Sequence, residues 1–265
     1  MSYAIQPAFL TPTLNVSMTG ELLGKPAKVV YILGSRSQGW SSTSALGDAC
    51  DYLDTSQALM NTPGIGQTLY LVSTSTSDDT GGTGARTVRI VYLDAAGDQQ
   101  VTTVALDGTT PVSLGSGFSF IQWMEVASTG SGEVAVGDLS ISSINGAATV
   151  ATTFEFIRAG GNRSLSGRYQ VPTGFTAYIS HWGAASIGAN MDVRLRALVF
   201  ADDYTLSTEY HFQDRVYLSS GSNGEMLTNY ISVPSGCVVK ISAIPDQAAA
   251  GKQLDCDFHL IVVAN

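Results

Sequence analysis

From Gly66 onward, apolar and polar positions alternate with a period of two, the spacing of a half-buried β-strand. In TVRIVYL (87–93), Val88, Ile90 and Tyr92 point one way and Arg89 and Val91 the other. The cluster Asp94-Ala95-Ala96-Gly97-Asp98 follows, then a second β-rich run, QVTTVAL, at 100–106. Two such runs around a short Asp/Gly segment predict a hairpin. Asp107-Gly108 predicts another turn, and FSFIQWMEVAS (118–128) and GEVAVGDLSI (132–141) predict further antiparallel strands.

Upstream the pattern differs. Pro7, Pro12 and Pro26 punctuate residues 1–30, and proline continues neither a helix nor a central strand, so this stretch reads as an extended arm. Leu46, Ala49 and Leu53 fall on one helical face and make 42–60 the best helix candidate, interrupted by Gly47. STSTSDDTGGTGAR (73–86) reads as a flexible surface loop. Its glycines lead into a strand, whereas a phosphate cradle opens a helix, and Asp78-Asp79 lacks the ligand spacing of a calcium loop.

The second half contains a repeat. YQVPTGFTAYISHWGAASIGANMDVRLRALVF (169–200) aligns with ISVPSGCVVKISAIPDQAAAGKQLDCDFHLIVV (231–263) after one inserted residue. Each copy reads as a turn, a strand, a loop and a longer strand. The V-P-x-G start suits a type I turn with Pro at its second position and Gly at its fourth. Phe175, Ala177 and Ile179 align with Cys237, Val239 and Ile241, and Val193, Leu195, Ala197 and Val199 align with Cys256, Phe258, Leu260 and Val262. These are the predicted core faces. Arg194 and Arg196 align with Asp257 and His259, which predicts an outward polar face. Between the copies, 204–227 reads as strands joined by a loop at 219–225.

Duplicated strand pairs argue for a two-sheet build, and a jelly roll has this quasi-repetitive form. The expected fold is therefore all-β: two antiparallel β-sandwich or jelly-roll-like domains behind an extended N-terminal arm. The segments are 1–60 for the arm with its short helix, 61–158 for the first domain and 159–265 for the second. The loops HWGAASIGAN and AIPDQAAAGKQ, which differ between the copies, mark His181, Trp182, Pro245 and Asp246 as candidate partner contacts. Pro7, Phe9 and Leu10 are candidates within the arm.

Composition narrows the function. Only 13% of residues are charged, which suits a β-rich surface covered by neighbours. The net charge of −9, with no basic run, argues against nucleic acid as a partner. No apolar stretch reaches membrane-spanning length, and the N-terminus lacks the basic and apolar regions of a signal peptide. Cys50, Cys237 and Cys256 are too few and scattered for a disulfide framework or a zinc site, which fits assembly in a reducing cytosol. Cys237 and Cys256 sit where the sister copy has apolar side chains, so they read as small hydrophobes. His181 and His211 have no partner at metal spacing, and no metal or other cofactor is expected. No nucleophile elbow stands in a strand–turn–helix setting. The few glutamates are scattered, and the cluster Glu209, His211 and Asp214 reads as surface polarity, so no enzyme is expected.

Three phrases resemble a family of virion structural proteins of tailed bacteriophages, especially marine and environmental ones. They are Gly84-Ala85-Arg86-Thr87-Val88, Leu93-Asp94-Ala95-Ala96-Gly97-Asp98 and Leu106-Asp107-Gly108-Thr109-Thr110-Pro111-Val112. YQVPTGFTAYIS, DVRLRALVF and the terminal FHLIVVAN are similar to that family's C-terminal half, so the resemblance covers about residues 66–265. It departs at Asp107, where the family pattern has Asn. The resemblance implies a non-enzymatic virion component, assembled in the host bacterial cytoplasm. A capsid decoration or cement protein comes first, with a tail, adaptor or fibre component, or a receptor- or glycan-binding protein, as alternatives. The implied partners are further copies of the chain, as a trimer, and the major capsid protein or tail proteins. For glycan binding, His181-Trp182 would offer an exposed aromatic, while packing at a subunit interface is the competing role for Trp182.

Overall fold

A computed structural model of the chain describes residues 27–37, 40, 47–50, 60–198, 210–221, 223–246 and 252–265. The described residues are all-β, in antiparallel sheets, with one 3-10 turn at Val150–Thr152. The strands are β1 (Ala27–Arg36), β2 (Gly47–Asp48), β3 (Leu69–Ser73), β4 (Ala85–Leu93), β5 (Gln99–Ala105), β6 (Val112–Gly115), β7 (Phe120–Thr129) and β8 (Leu139–Ser142). They continue with β9 (Thr153–Ile157), β10 (Arg168–Gln170), β11 (Phe175–Ile187), β12 (Met191–Leu198), β13 (Tyr210–Leu218), β14 (Asn223–Val233), β15 (Val238–Pro245) and β16 (Gln253–Ala264).

Four sheets result. The first runs β1-β16-β11-β14 and the second β10-β15-β12-β13, with β2 paired onto β15. The third runs β6-β3-β8-β9 and the fourth β5-β4-β7. One apolar cluster draws on both the first and second sheets, including Ile32, Ile179, Trp182, Leu195, Ile241, Phe258 and Leu260. A second cluster draws on the third and fourth, including Leu71, Ile90, Met124, Ile141 and Ile157. Each fully buried aliphatic side chain contributes about 1.5–3 kcal/mol, so alternation alone fixes which face of each strand turns inward.

The repeat maps onto this arrangement across the sheets. β11 belongs to the first sheet, but its sister β15 belongs to the second; β12 and its sister β16 are exchanged in the same way. Advancing every strand of the set β10–β16 plus β1 by four places turns the order β1-β16-β11-β14 into β13-β12-β15-β10, which is the second sheet read backwards. The described core-face residues predicted from the repeat all pack on the shared cluster, Phe175 at its edge. Val199 lies outside the described residues.

The V-P-x-G turns differ in detail from the expectation. Pro172 O accepts from Phe175 N at 3.2 Å and Pro234 O from Cys237 N at 3.4 Å, so each Pro is the first residue of its turn. Gly174 (φ +76°) and Gly236 (φ +83°) are then third, where a type II turn requires positive φ.

Residues 27–36, assigned to the arm segment by sequence, form β1 and pair with β16 along their whole length, Ala27 opposite Val263 and Arg36 opposite Leu254. The chain leaves the first sheet at Arg36 and returns beside the same point at Ser166, just before β10 of the second sheet. Gly34 bridges Ser166, and Leu33 O accepts from Gly167 N at 2.9 Å. A Cβ on Gly34 would meet the Gly167 Cα at 2.8 Å, so the two passages touch because neither carries a side chain there. β3–β9 are thus inserted between β1 and β10.

The helix expected over 42–60 is not formed where the chain is described. Gly47 and Asp48 pair with Ala243 and Ser242 as β2. Residues 41–46 and 51–59, with Leu46 and Leu53, lie outside the described residues. The other expected strands are present, although the run 132–141 forms a strand only at Leu139–Ser142.

Candidate functional site

The outer face of the first sheet carries a close group of three potential metal-ligating side chains, His181, Asp257 and His259. Alternation along β16 turns Cys256, Phe258 and Leu260 into the core and leaves Asp255, Asp257 and His259 facing out. His181 reaches this face through an irregularity. β11 keeps Ile179 opposite Leu260 but places His181 opposite His259, so Ser180 is an extra residue in that ladder. Such a bulge shifts the alternation by one position and re-aims the side chains beyond it. Ile179 and Trp182 therefore both point inward, with Ser180 and His181 between them.

His259 Nε2 lies 3.1 Å and His181 Nε2 3.7 Å from Asp257 Oδ2. The two imidazoles stand 4.8 Å apart, and the Tyr31 ring of β1 packs edge-on against His259 at 4.6 Å. A concavity of about 420 Å³ opens beside His181 and Asp257, lined also by Leu33, Gly183, Ala185, Asp255 and Cys256. Beside it, Ile261, Val263, Ala27, Val29 and Tyr178 form a small apolar patch.

Sequence reasoning paired neither histidine with anything, because they stand on different strands far apart in the chain. Their alignment as neighbours in space follows only from the pairing of β11 with β16. Trp182, expected in an exposed loop, is wholly buried inside β11; its Nε1 donates to Asp214 Oδ2 at 3.0 Å. The bulge accounts for this, since the break in alternation at SHW marks a phase change within one continuous strand. Pro245 is buried at the end of β15, opposite Met191. Asp246 is exposed; it accepts from Asn190 Nδ2 at 2.9 Å, and Asn190 Oδ1 in turn accepts from Ser220 N at 2.9 Å. These loops gather at one end of the first two sheets. Pro7, Phe9, Leu10 and Glu209 lie outside the described residues, as does the side chain of His211.

The other end of these sheets meets the inserted strands. Thr173 of the first V-P-x-G turn donates its Oγ1 to Ala96 O at 2.8 Å and its N to Gly97 O at 2.9 Å. Gln122 and Gln170 exchange hydrogen bonds of 2.6 and 2.9 Å, and Arg168 Nη2 donates to Phe154 O at 2.7 Å. The LDAAGD turn is therefore a docking element between the two halves.

Two buried carboxylates were invisible as such in the sequence. Asp78, within the stretch read as a flexible loop, has no exposed surface. Its carboxylate accepts from Ser73 Oγ (2.6 Å), Ala85 N (2.8 Å), Val136 N (2.9 Å) and Gly137 N (2.8 Å), tying three segments together. Asp48 sits under β15, accepting from Ser242 Oγ at 2.7 Å and Lys240 Nζ at 3.1 Å. Burial pushes Asp48 upward, but the Lys240 charge, the Met60 amide, the Ser242 hydroxyl and the Arg196 charge outweigh it and hold the carboxyl below its ordinary value. Arg196, expected to face outward, is buried beside this carboxylate, and its Nη2 donates to Ser242 Oγ at 3.2 Å.

No family model matches the chain, and no curated protein matches it. Among solved structures, similar chains include that of the infectious bursal disease virus Gx strain, 10% identical with a TM-score of 0.23, covering 91% of this chain and 72% of that one. The infectious bursal virus derived T=1 particle is 10% identical with a TM-score of 0.22, covering 97% and 74%. A tandem CBM22 domain from Paenibacillus barcinonensis is 13% identical with a TM-score of 0.19, covering 91% and 94%. Scores this low do not establish a shared fold.

Proposed function

We propose that this chain is a non-enzymatic structural component of a tailed-phage virion, in first place a capsid decoration or cement protein. We read its first two sheets as an eight-stranded jelly roll and its last two as a β-sandwich inserted into it. The observation that carries the reading is the strand order. β1-β16-β11-β14 facing β10-β15-β12-β13 is the order that two interleaved Greek keys produce, and jelly rolls recur in viral capsid and lectin domains. The sheet-exchanging repeat supports the same reading, because a jelly roll has an approximate two-fold relation between its sheets. The phage-like phrases add to it. LDAAGD and VPTG, separated in sequence, meet at Thr173, Ala96 and Gly97, so the shared motifs coincide with the joint between the halves.

Sheet faces and end loops would meet neighbouring copies, as a trimer in the simplest closed assembly, and the major capsid protein or tail proteins. The glycan-binding alternative loses its aromatic, since Trp182 is buried. Residues 1–26 would grip the shell. β1 begins at Ala27, so a chain lacking residues 1–26 retains every strand of the described residues. The experiment is complementation of a phage lacking the gene with this truncated chain. Folded protein absent from purified particles supports the arm as the anchor; incorporation at the full-length level rejects it.

A further inference from the structure

We propose that His181, Asp257 and His259 form a binding site for a first-row divalent transition ion of the zinc type on the outer face of the first sheet. One ligand atom from each residue falls within 4.8 Å of the other two. A tetrahedral ion with bonds near 2.1 Å holds its ligands about 3.4 Å apart. The separations of Asp257 Oδ2 from the two imidazole nitrogens, 3.1 and 3.7 Å, bracket that value. Small rotations about the side-chain bonds of His181 bring the third pair into range.

The donor set selects the ion. Two imidazoles and one carboxylate suit zinc and its neighbours, whereas calcium and magnesium prefer oxygen donors alone. Position 183 leaves the ion room. A Cβ on Gly183 would come within 3.2 Å of Asp257 Oδ1 and 3.7 Å of His181 Nε2, filling the space in front of both ligands. Tyr31 packs against His259 and fixes its ring. Asp255, on the same face, adds negative charge to the concavity. The three ligands come from two adjacent strands and leave the solvent side open, so water or a donor from a neighbouring molecule completes the shell. The bulge at Ser180 is the structural device that makes the site, since it aligns His181 with His259.

The test uses the full-length chain stripped with EDTA. Zinc is titrated by calorimetry, and cobalt(II) serves as an absorbing substitute. The proposal expects one ion per chain, a thermal midpoint several degrees higher with saturating zinc, and no comparable response to calcium or magnesium. The cobalt spectrum should lack a sulfur charge-transfer band, because the three thiols are buried and that of Cys256, next to Asp257 on β16, packs into the core cluster with its Sγ donating to Gly34 O at 3.5 Å. His181→Gln, His259→Gln and Asp257→Asn should each weaken zinc binding about tenfold or more while leaving the metal-free midpoint close to the parent value. Gly183→Val should weaken it with all three ligands intact. Absence of saturable binding, or binding that survives the His181→Gln and His259→Gln changes together, overturns the proposal.

Discussion

Asp78 shows how much one side chain can organise. Four donors converge on a carboxylate without exposed surface, three of them backbone amides, one at the start of β4 and two from the bend at Val136-Gly137. Removing the acceptor strands those amides in the interior. Asp78→Ala should cost about 3 kcal/mol or more, read from urea unfolding; a loss under about 1 kcal/mol would show that these segments do not depend on it. Glu155 works in the opposite sense. It is wholly buried on β9, and that burial raises its pKa from 4.5 to about 7, against the opposing pull of Arg168, the Phe156 amide and the hydroxyls of Ser166 and Ser164. An acid whose folded pKa is raised binds its proton more tightly when folded. Its contribution is complete below about pH 4.5 and is lost as pH rises through about 7. The thermal midpoint should therefore fall between those pH values, and Glu155→Gln should flatten that part of the profile. An unchanged slope in the variant would assign the dependence to another group. Neither carboxylate was legible in the sequence. DD within a Ser/Thr/Gly run, and a Glu in FEFI, look like surface polarity until the packing that surrounds them is known.

At the scale of elements, alternation and the repeat carried far. The 87–106 hairpin appears as read, with Leu93 opposite Gln99. The repeat identified the core faces of β11, β12, β15 and β16 because burial follows the period of two. It was less informative where the period breaks. At SHW the lost alternation reads as a loop, yet β11 runs through to Ile187 because a bulge restores the phase one residue later. Three apolar residues at helical spacing around Ala49 were also insufficient to decide local structure. Pairing with β15 prevails at Gly47, where a Cβ would press on Arg36 Nη1 at 2.8 Å and Trp40 at 3.0 Å. The glycines of the two V-P-x-G turns test the corrected geometry. Both have positive φ and open space around the position of a Cβ, so Gly174→Ala and Gly236→Ala should each cost about 1 kcal/mol through the backbone alone. Under a type I turn with Gly in fourth position, neither change would be felt.

The whole molecule is organised by an insertion. β1 and β10 are separated in the chain by eight intervening strands, β2 and the inserted β3–β9, yet Gly34 and Ser166 are bridged, so the chain leaves for the insertion and returns from it at one place. That arrangement was illegible in the sequence, where residues 27–36 carry no mark of their partner β16. The LDAAGD–VPTG joint, the Gln122–Gln170 pair and Arg168 hold the halves together through hydrogen bonds and leave the two larger apolar clusters distinct. The proposed virion role would use the outer faces and end loops for contacts with neighbouring molecules. The measurement that tests this most directly is quantitative mass spectrometry of gradient-purified tailed particles, with heads and tails separated. The account predicts the chain in the particles at a fixed copy number and enriched with the heads. Its absence from purified particles, with the protein recovered free in the lysate, would contradict it.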